Sequence, residues 1–234
     1  MRKLFGLLLL LLAVSSCEED TNMIIHTPQR IHLYPGEQKQ IEAESSQKIQ
    51  YSSLNDYYAS VDEDGLVTAR YVGDTQVRLS TSDVKEFIQV SVIPRYTLYV
   101  EPYYEFPSTR YAVEKMYGEP FKEEDNCLVY ETLDVEASKY FYFCFDDEDN
   151  LLASVATITE GNEEELGKFL AERYVTVNQE EFIYRNTLEV TDETVEIRSF
   201  YSEKYGSRVV VYAPYGTDFD TFKTFAEPLK YCKK

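Results

Sequence analysis

Between Pro28 and Pro94 the chain passes through seven short stretches in which apolar and polar residues alternate, at 30–34, 40–44, 48–51, 59–61, 66–69, 75–79 and 86–92. Successive side chains of an extended strand point to opposite faces, so a period of two predicts strands with one face in a core. Pro35-Gly36, Asp64-Gly65 and Gly73-Asp74 stand between the stretches as turns, and no helical period interrupts them. Short strands separated by turn residues at intervals of about 8–12 residues pack as a small β-sandwich, predicted here over residues 29–94.

The same segment carries Tyr34-Pro35-Gly36-Glu37, Tyr51-Ser52-Ser53-Leu54-Asn55, then Ala59-Ser60-Val61-Asp62-Glu63-Asp64-Gly65-Leu66-Val67-Thr68-Ala69, and Gly73-Asp74-Thr75. In this it resembles a group-2 bacterial Ig-like domain of the invasin and intimin type, over about residues 29 to 93. The Val-Asp-x-x-Gly-Leu-Val-Thr-Ala block is the strongest part, with Gly65 expected at positive φ in the hairpin turn. Tyr51 stands where the family usually has tryptophan, and a tyrosine in that core slot needs a partner for its hydroxyl. The resemblance implies a spacer or adhesion module that presents something else and contributes no catalytic residue.

Residues 95–234 differ in composition, holding 16 of the 21 Tyr and 11 of the 13 Phe, and 29 Asp+Glu against 15 Lys+Arg. Residues 97–100 read as a strand. A helix follows at 108–118, with Ser108 as N-cap and Gly118 as stop, then strands at 127–132, 139–145 and 151–158, the last two joined by the polar loop 146–150. The order then recurs as a helix at 162–173, with Glu163, Glu164 and Glu165 in its positive first turn, and strands at 181–184, 194–201 and 207–213. Val129-Tyr130 answers Ile183-Tyr184. The expectation is a tandem helix-strand-strand-strand repeat, an α+β domain with an antiparallel sheet and both helices on one face. This element order, over residues 105 to 213, is similar to that of beta-lactamase inhibitory protein and related tandem-repeat binding domains.

The first residues give an address. Arg2 and Lys3 precede an apolar run from Leu4 to Val14, too short to cross about 30 Å of hydrocarbon and suited to a signal peptide over residues 1–16. Leu12-Ala13-Val14-Ser15-Ser16-Cys17 resembles the lipobox of bacterial lipoproteins, which implies acylation of Cys17 and a lipidated tether over 17–28. Glu18-Glu19-Asp20 resembles the export signal that sends Bacteroidota-type lipoproteins to the outer face of the outer membrane; retention on the periplasmic side is the alternative. Losing Arg2 and Lys3 makes the mature chain two charges more negative than −19. Such a surface repels anionic membranes, so the lipid and not the protein face would hold it there.

That charge also removes nucleic acid from the partners, since no basic stripe could neutralise phosphates. A hydrophobic fraction of 44% with 15% aromatic excludes a disordered polyelectrolyte despite the charge. Of the two histidines, His26 and His32, neither lies in the C-terminal region, so no His-assisted nucleophile is available there and the chain is read as non-enzymatic with no cofactor. A carboxylate pair of the glycosidase kind is the remaining catalytic reading. Asp62, Glu63 and Asp64 are read as a solvated turn rather than a calcium site. The run 146–150 is the better cation candidate but lacks the glycine of an EF-hand loop.

Alternation along 139–145 separates Tyr140, Tyr142 and Cys144 from Phe141, Phe143 and Phe145. The phenylalanines are assigned to the core. The tyrosine side, joined by Tyr130, Glu131, Arg198 and Tyr212, is the candidate binding surface for an extracellular protein or glycan. If the flanking strands form a hairpin centred on 134–137, Cys127 and Cys144 lie equidistant from its centre and a disulfide is geometrically allowed. A slip of one residue would set them on opposite faces. Three function classes remain: a lipid-anchored surface binding protein, an inhibitor or assembly factor of the cell envelope with a basic partner, and a glycoside hydrolase.

Overall fold

The computed structural model describes residues 23–132 and 137–223. The signal segment, Cys17 and the acidic run after it lie outside the described residues.

The N-terminal region is all β. Strands β2 (Arg30–Leu33), β9 (Lys85–Val92), β8 (Gly73–Ser80) and β5 (Gln50–Ser53) form one sheet in that order, and β3 (Gln38–Gln40), β7 (Leu66–Ala69) and β6 (Ala59–Val61) form a second. All pairings are antiparallel except β2 with β9, which run parallel. On β8 the residues Thr75, Val77 and Leu79 are buried while Gln76 and Arg78 between them are not, the period-two pattern of a half-buried strand. Val77 and Leu79 meet Ile31, Leu33, Val67, Ile88 and Val90 in a single core. The ordered sheet begins earlier than 29: β1 (Ile24–Ile25), expected in the tether, pairs with β4 (Ala43–Glu44), and the His26 and Thr27 N–H groups donate to the Glu42 carbonyl.

Gly65 is constrained twice. Its φ is +84°, and a Cβ there would sit 2.9 Å from the Tyr51 ring. The tyrosine therefore fills its slot by lying against a residue with no side chain, and burial pushes its hydroxyl pKa up.

The C-terminal region has an eight-stranded, wholly antiparallel sheet and two α-helices among the described residues. Helix α1 (Arg110–Tyr117) precedes β10 (Lys122–Glu124), β11 (Cys127–Glu131), β12 (Ser138–Phe145) and β13 (Leu151–Ile158). Helix α2 (Glu163–Arg173) precedes β14 (Val175–Asn178), β15 (Ile183–Arg185), β16 (Val195–Ser202) and β17 (Ser207–Pro214). In space the order is β10-β11-β12-β13-β17-β16-β15-β14, so the two last strands meet at the centre. Val113 of α1 and Leu166, Phe169 and Leu170 of α2 pack on the sheet face that carries Leu128, Phe141, Phe143, Ile197 and Val210.

Each unit has one helix and four strands rather than the three expected, because the short edge strands β10 and β14 add to it, and three further local expectations change. The N-cap of α1 is Thr109, whose hydroxyl accepts from the Ala112 N–H, while Ser108 turns inward to share a hydrogen bond with the Tyr103 hydroxyl. Residues 97–100 do not form a strand. They belong to an irregular span crossing the helix side, in which Leu98 and Tyr99 are buried, the Tyr103 N–H donates to the Tyr117 hydroxyl and the Tyr103 carbonyl accepts from Ser154. Pro102 and Pro107 lack the N–H a ladder needs, and side chains satisfy this backbone instead.

The third change concerns the sheet's other face, expected to be open. Every residue of β13 is buried, and Ala153, Val155, Val209, Val211 and Ala213 form a second apolar layer under Phe219 and Phe222 of a 3-10 turn (Phe219–Phe222). Ser202 fixes that cover by donating to the Phe222 carbonyl. The continuous apolar runs of β13 and β17 are those of strands buried on both faces.

Candidate binding surface

Of the five proposed binding residues, the structure brings two together. Tyr140 and Tyr142 share the face opposite the helices, with ring centroids 6.4 Å apart. They continue a row that starts at Phe121, stacked on Tyr140 at 6.2 Å, and ends at Tyr205, packed on Tyr142 at 4.6 Å. Phe121 is 59% exposed and the other three rings are half-buried. Beside the row opens a small cleft of about 110 Å³ lined by Lys122, Glu124, Asp125, Tyr142, Lys204 and Tyr205.

Two hairpins build this site. Glu124 pairs with Cys127, and Asp125 and Asn126 between them have φ of +49° and +59°, a two-residue turn with both central residues left-handed. The Asn126 amide donates to the Phe145 and Asp146 carbonyls and its Oδ1 accepts from Arg110, which ties the turn to the β12–β13 loop and to α1. Cys127 lies directly across from Cys144, and the two form a disulfide on the tyrosine side of the sheet. Lys204 from the β16–β17 hairpin reaches Asp125 at 3.4 Å, and Lys122 is bonded to Glu124. That hydrogen bond raises the Lys122 pKa. Burial raises the Tyr142 hydroxyl, opposed by the nearby Lys122 charge, and burial raises Tyr205 further, helped by Tyr142 and Asp125. Both hydroxyls are therefore harder to ionise than a free phenol, at the edge of an aromatic row.

Tyr130 and Tyr212 are corrections. The register that sets Cys127 against Cys144 also sets Tyr130 against Phe141, so Tyr130 faces the helices. It is 6% exposed and donates to the Gly118 carbonyl. Tyr212 is wholly buried on the same side, opposite Ser154, and its hydroxyl bonds to Tyr99 and Glu101 while Tyr104 stacks on its ring at 4.9 Å. Arg198 does lie on the outer face, but strands β13 and β17 separate it from Tyr142. It pairs with Glu196 and lies over the Phe219 ring at 4.5 Å, serving the cover.

A second cluster, which the sequence did not single out, surrounds Glu101. Its carboxylate accepts from the Tyr174 hydroxyl and from Tyr212 at 3.3 Å and pairs with Arg173 at 3.4 Å. Burial raises its pKa, and the tyrosine hydrogen bonds and Arg173 work in the other direction. Burial and the Glu101 charge push Tyr104 up to about 12. Glu101 thus organises buried phenols, and the sequence shows it only as one of two glutamates in the aromatic stretch 99–106.

The two carboxylate runs weighed for calcium are engaged by their own turns. Asp62 Oδ1 accepts from the Asp64 and Leu66 N–H groups at 3.0 and 2.8 Å. Asp146 Oδ1 accepts from Glu148 and Asn150 at 2.9 and 2.8 Å; slight burial pushes its carboxyl up, and the Asn150 and Glu148 hydrogen bonds bring it below the usual range. Among the described residues no group of three or more His, Cys, Asp or Glu is placed to hold a metal ion. No helix among them is long and apolar enough to cross a membrane.

Comparison with known proteins bears mainly on the N-terminal region. No curated protein matches the chain. Among solved structures it is similar to a mutant intimin of EHEC O157:H7, at 17% identity over 53% of this chain and 83% of that one, with a TM-score of 0.25. It is also similar to domains 5-6 of the S-layer protein SbsC, at 9% identity over 83% of this chain and 86% of that one, with a TM-score of 0.26. Superpositions this loose carry no argument about function. Residues 33–90 match the model of the bacterial Ig-like domain (group 2), which covers most of the sandwich core and includes Tyr51 and Gly65. That part of the chain is a group-2 bacterial Ig-like domain.

Proposed function

We propose that the protein is a non-enzymatic, lipid-anchored protein of the outer cell surface, whose Ig-like domain carries a C-terminal α+β domain that binds an extracellular protein or glycan. Cys17 is the anchor and Glu18-Glu19-Asp20 the export signal. The single observation that carries the binding role is the row Phe121, Tyr140, Tyr142 and Tyr205, four aromatic rings in series on one sheet face with paired charges beside them. Such surfaces stack on sugars or on apolar side chains and offer phenol hydroxyls for hydrogen bonds. Two measurements test the reading together. Proteinase treatment of intact cells removes the protein while a periplasmic control survives. On a glycan array and a panel of matrix proteins, the chain gives a signal that Tyr140→Ala with Tyr142→Ala lowers by roughly tenfold or more, the loss of two stacking contacts. Survival of the band in intact cells but not in lysed ones overturns the surface assignment. An unchanged binding signal in the double variant overturns the binding face.

The recurrence of one helix followed by four strands, with β13 and β17 paired antiparallel at the sheet centre, supports descent of the C-terminal domain from a tandem duplication. The second reading, an inhibitor or assembly factor, rests on the acidity of the chain, which suits a basic partner. Salt separates the two: capture of a basic partner by this acidic chain weakens steeply as ionic strength rises, and stacking on sugar rings does not.

A further inference from the structure

We infer that the C-terminal end of α2 is a docking surface for the Ig-like domain, and that Glu172 clamps the two domains and their linker into one fixed arrangement. The last carbonyls of a helix have no partner within it and must find one elsewhere. Here two of them find it in the Ig-like domain. The Glu172 carbonyl accepts from the Val72 N–H at 2.8 Å, and the Arg173 carbonyl accepts from the Tyr57 hydroxyl at 2.6 Å. The Tyr57 ring stacks on Tyr71 at 4.7 Å, so two loops of the Ig-like domain meet the helix end together.

The Glu172 side chain holds the linker from the other direction. It is 9% exposed, and its Oε2 accepts from two successive linker N–H groups, Arg95 at 2.8 Å and Tyr96 at 3.1 Å. The Arg95 guanidinium lies 3.8 Å from the same carboxylate, donates to the Pro35 carbonyl at 2.8 Å, approaches Glu37 at 3.6 Å and lies over the Tyr34 ring at 4.8 Å. One buried carboxylate thus joins α2, the linker and, through Arg95, the 34–37 turn. Domains joined by a short linker move relative to one another unless the interface holds them. A nearly buried carboxylate whose bonding requires one position of the linker restricts that freedom, because opening breaks two charge-assisted hydrogen bonds and the Arg95 ion pair together.

Trypsin reads this directly, since Arg95–Tyr96 is a cleavable bond inside the clamp, and cleavage of a locally opened segment follows the population of the open form. The full chain is digested under native conditions, and cleavage after Arg95 is compared by mass spectrometry with cleavage after Arg78 in β8 and Arg208 in β17. In the parent the Arg95 bond is cut slowly. Glu172→Ala speeds that cut by roughly tenfold or more, Glu172→Gln, which keeps an acceptor but loses the charge, by less, and Tyr57→Phe by less again. The other two bonds stay unchanged, as does everything in Glu164→Gln on the exposed side of the same helix. Rapid cleavage in the parent, an unchanged Arg95 rate in both Glu172→Ala and Tyr57→Phe, or a rise at all three bonds together overturns the clamp. The last result would make Glu172 a support of the whole fold. None of these readouts depends on the ligand, so the clamp and the binding face fail separately.

Discussion

The Ig-like domain and the eight-stranded region solve the same problem, covering a sheet, in opposite ways. In the first, two thin sheets face each other and each strand keeps one side in water, so β8 alternates buried and open positions from Thr75 onward. In the second, a single sheet is covered on both sides at its centre, by helices and an aromatic span on one and by Phe219 and Phe222 on the other, and β13 has no open position at all. The first core is aliphatic, with one tyrosine at its edge. The second is a scaffold rich in tyrosines, and Glu101 receives two of their hydroxyls. A layer covered twice gains packing, and each buried phenol that is hydrogen-bonded, such as Tyr99, Tyr174 and Tyr212, ties the fold to a particular partner.

The contrast can be broken most strongly at the disulfide, which only the second region has. Replacing Cys127 and Cys144 together by alanine is expected to destabilise it by about 3 kcal/mol, the usual size for a loop of this length. Calorimetry of the double variant then shows a lower melting temperature for unfolding of the sheet. In the Ig-like domain the matching weak point is Gly65. Gly65→Ala combines a left-handed φ with a Cβ against the Tyr51 ring and is expected to cost about 1–3 kcal/mol, read from urea unfolding followed by tyrosine fluorescence. The smallest effect is one of pH. Burial raises the folded pKa of Glu101 above its ordinary 4.5, so the native state keeps a proton that the unfolded chain has released. Its contribution to stability is full below pH 4.5 and is lost as the pH rises through the raised value. Glu101→Gln removes that slope, and its melting temperature falls less than the parent's from pH 4.5 upward; identical slopes would show that Tyr174, Tyr212 and Arg173 balance the burial.

Much of this was legible, for reasons that differ along the chain. The Ig-like strands were readable because water on one face enforces alternation. Helices ending at Gly118 and beginning with Glu163-Glu164-Glu165 were readable from their ends. The position of Cys127 against Cys144 followed from where the hairpin was centred. The side taken by Tyr130 and Tyr212 was not, because a period of two separates two faces without saying which is wet, and where a sheet is covered on both faces composition marks neither as the wet one. Tyr130 could have been placed: once Cys127 faces Cys144, it must stand opposite Phe141. Phe121 and Tyr205 belong to the site through β10 and a hairpin tip, and Lys122-Glu123-Glu124 has too little apolar content to read as a strand. The Glu101 network joins residues more than seventy positions apart, and no local pattern carries it.

The parallel pairing of β2 with β9 gives the Ig-like domain a mechanical character. A pull applied between the N-terminus and the linker peels the two-residue ribbon of β1 and β4, then enters β2 at Arg30 and leaves β9 at Val92. Because the two strands run the same way side by side, from Arg30 against Gln89 to Leu33 against Val92, that load slides one along the other and strains their hydrogen bonds together. An antiparallel pair pulled from adjacent ends would instead open bond by bond, like a zipper. Tension between an anchored end and a captured partner would meet the domain along its resistant direction.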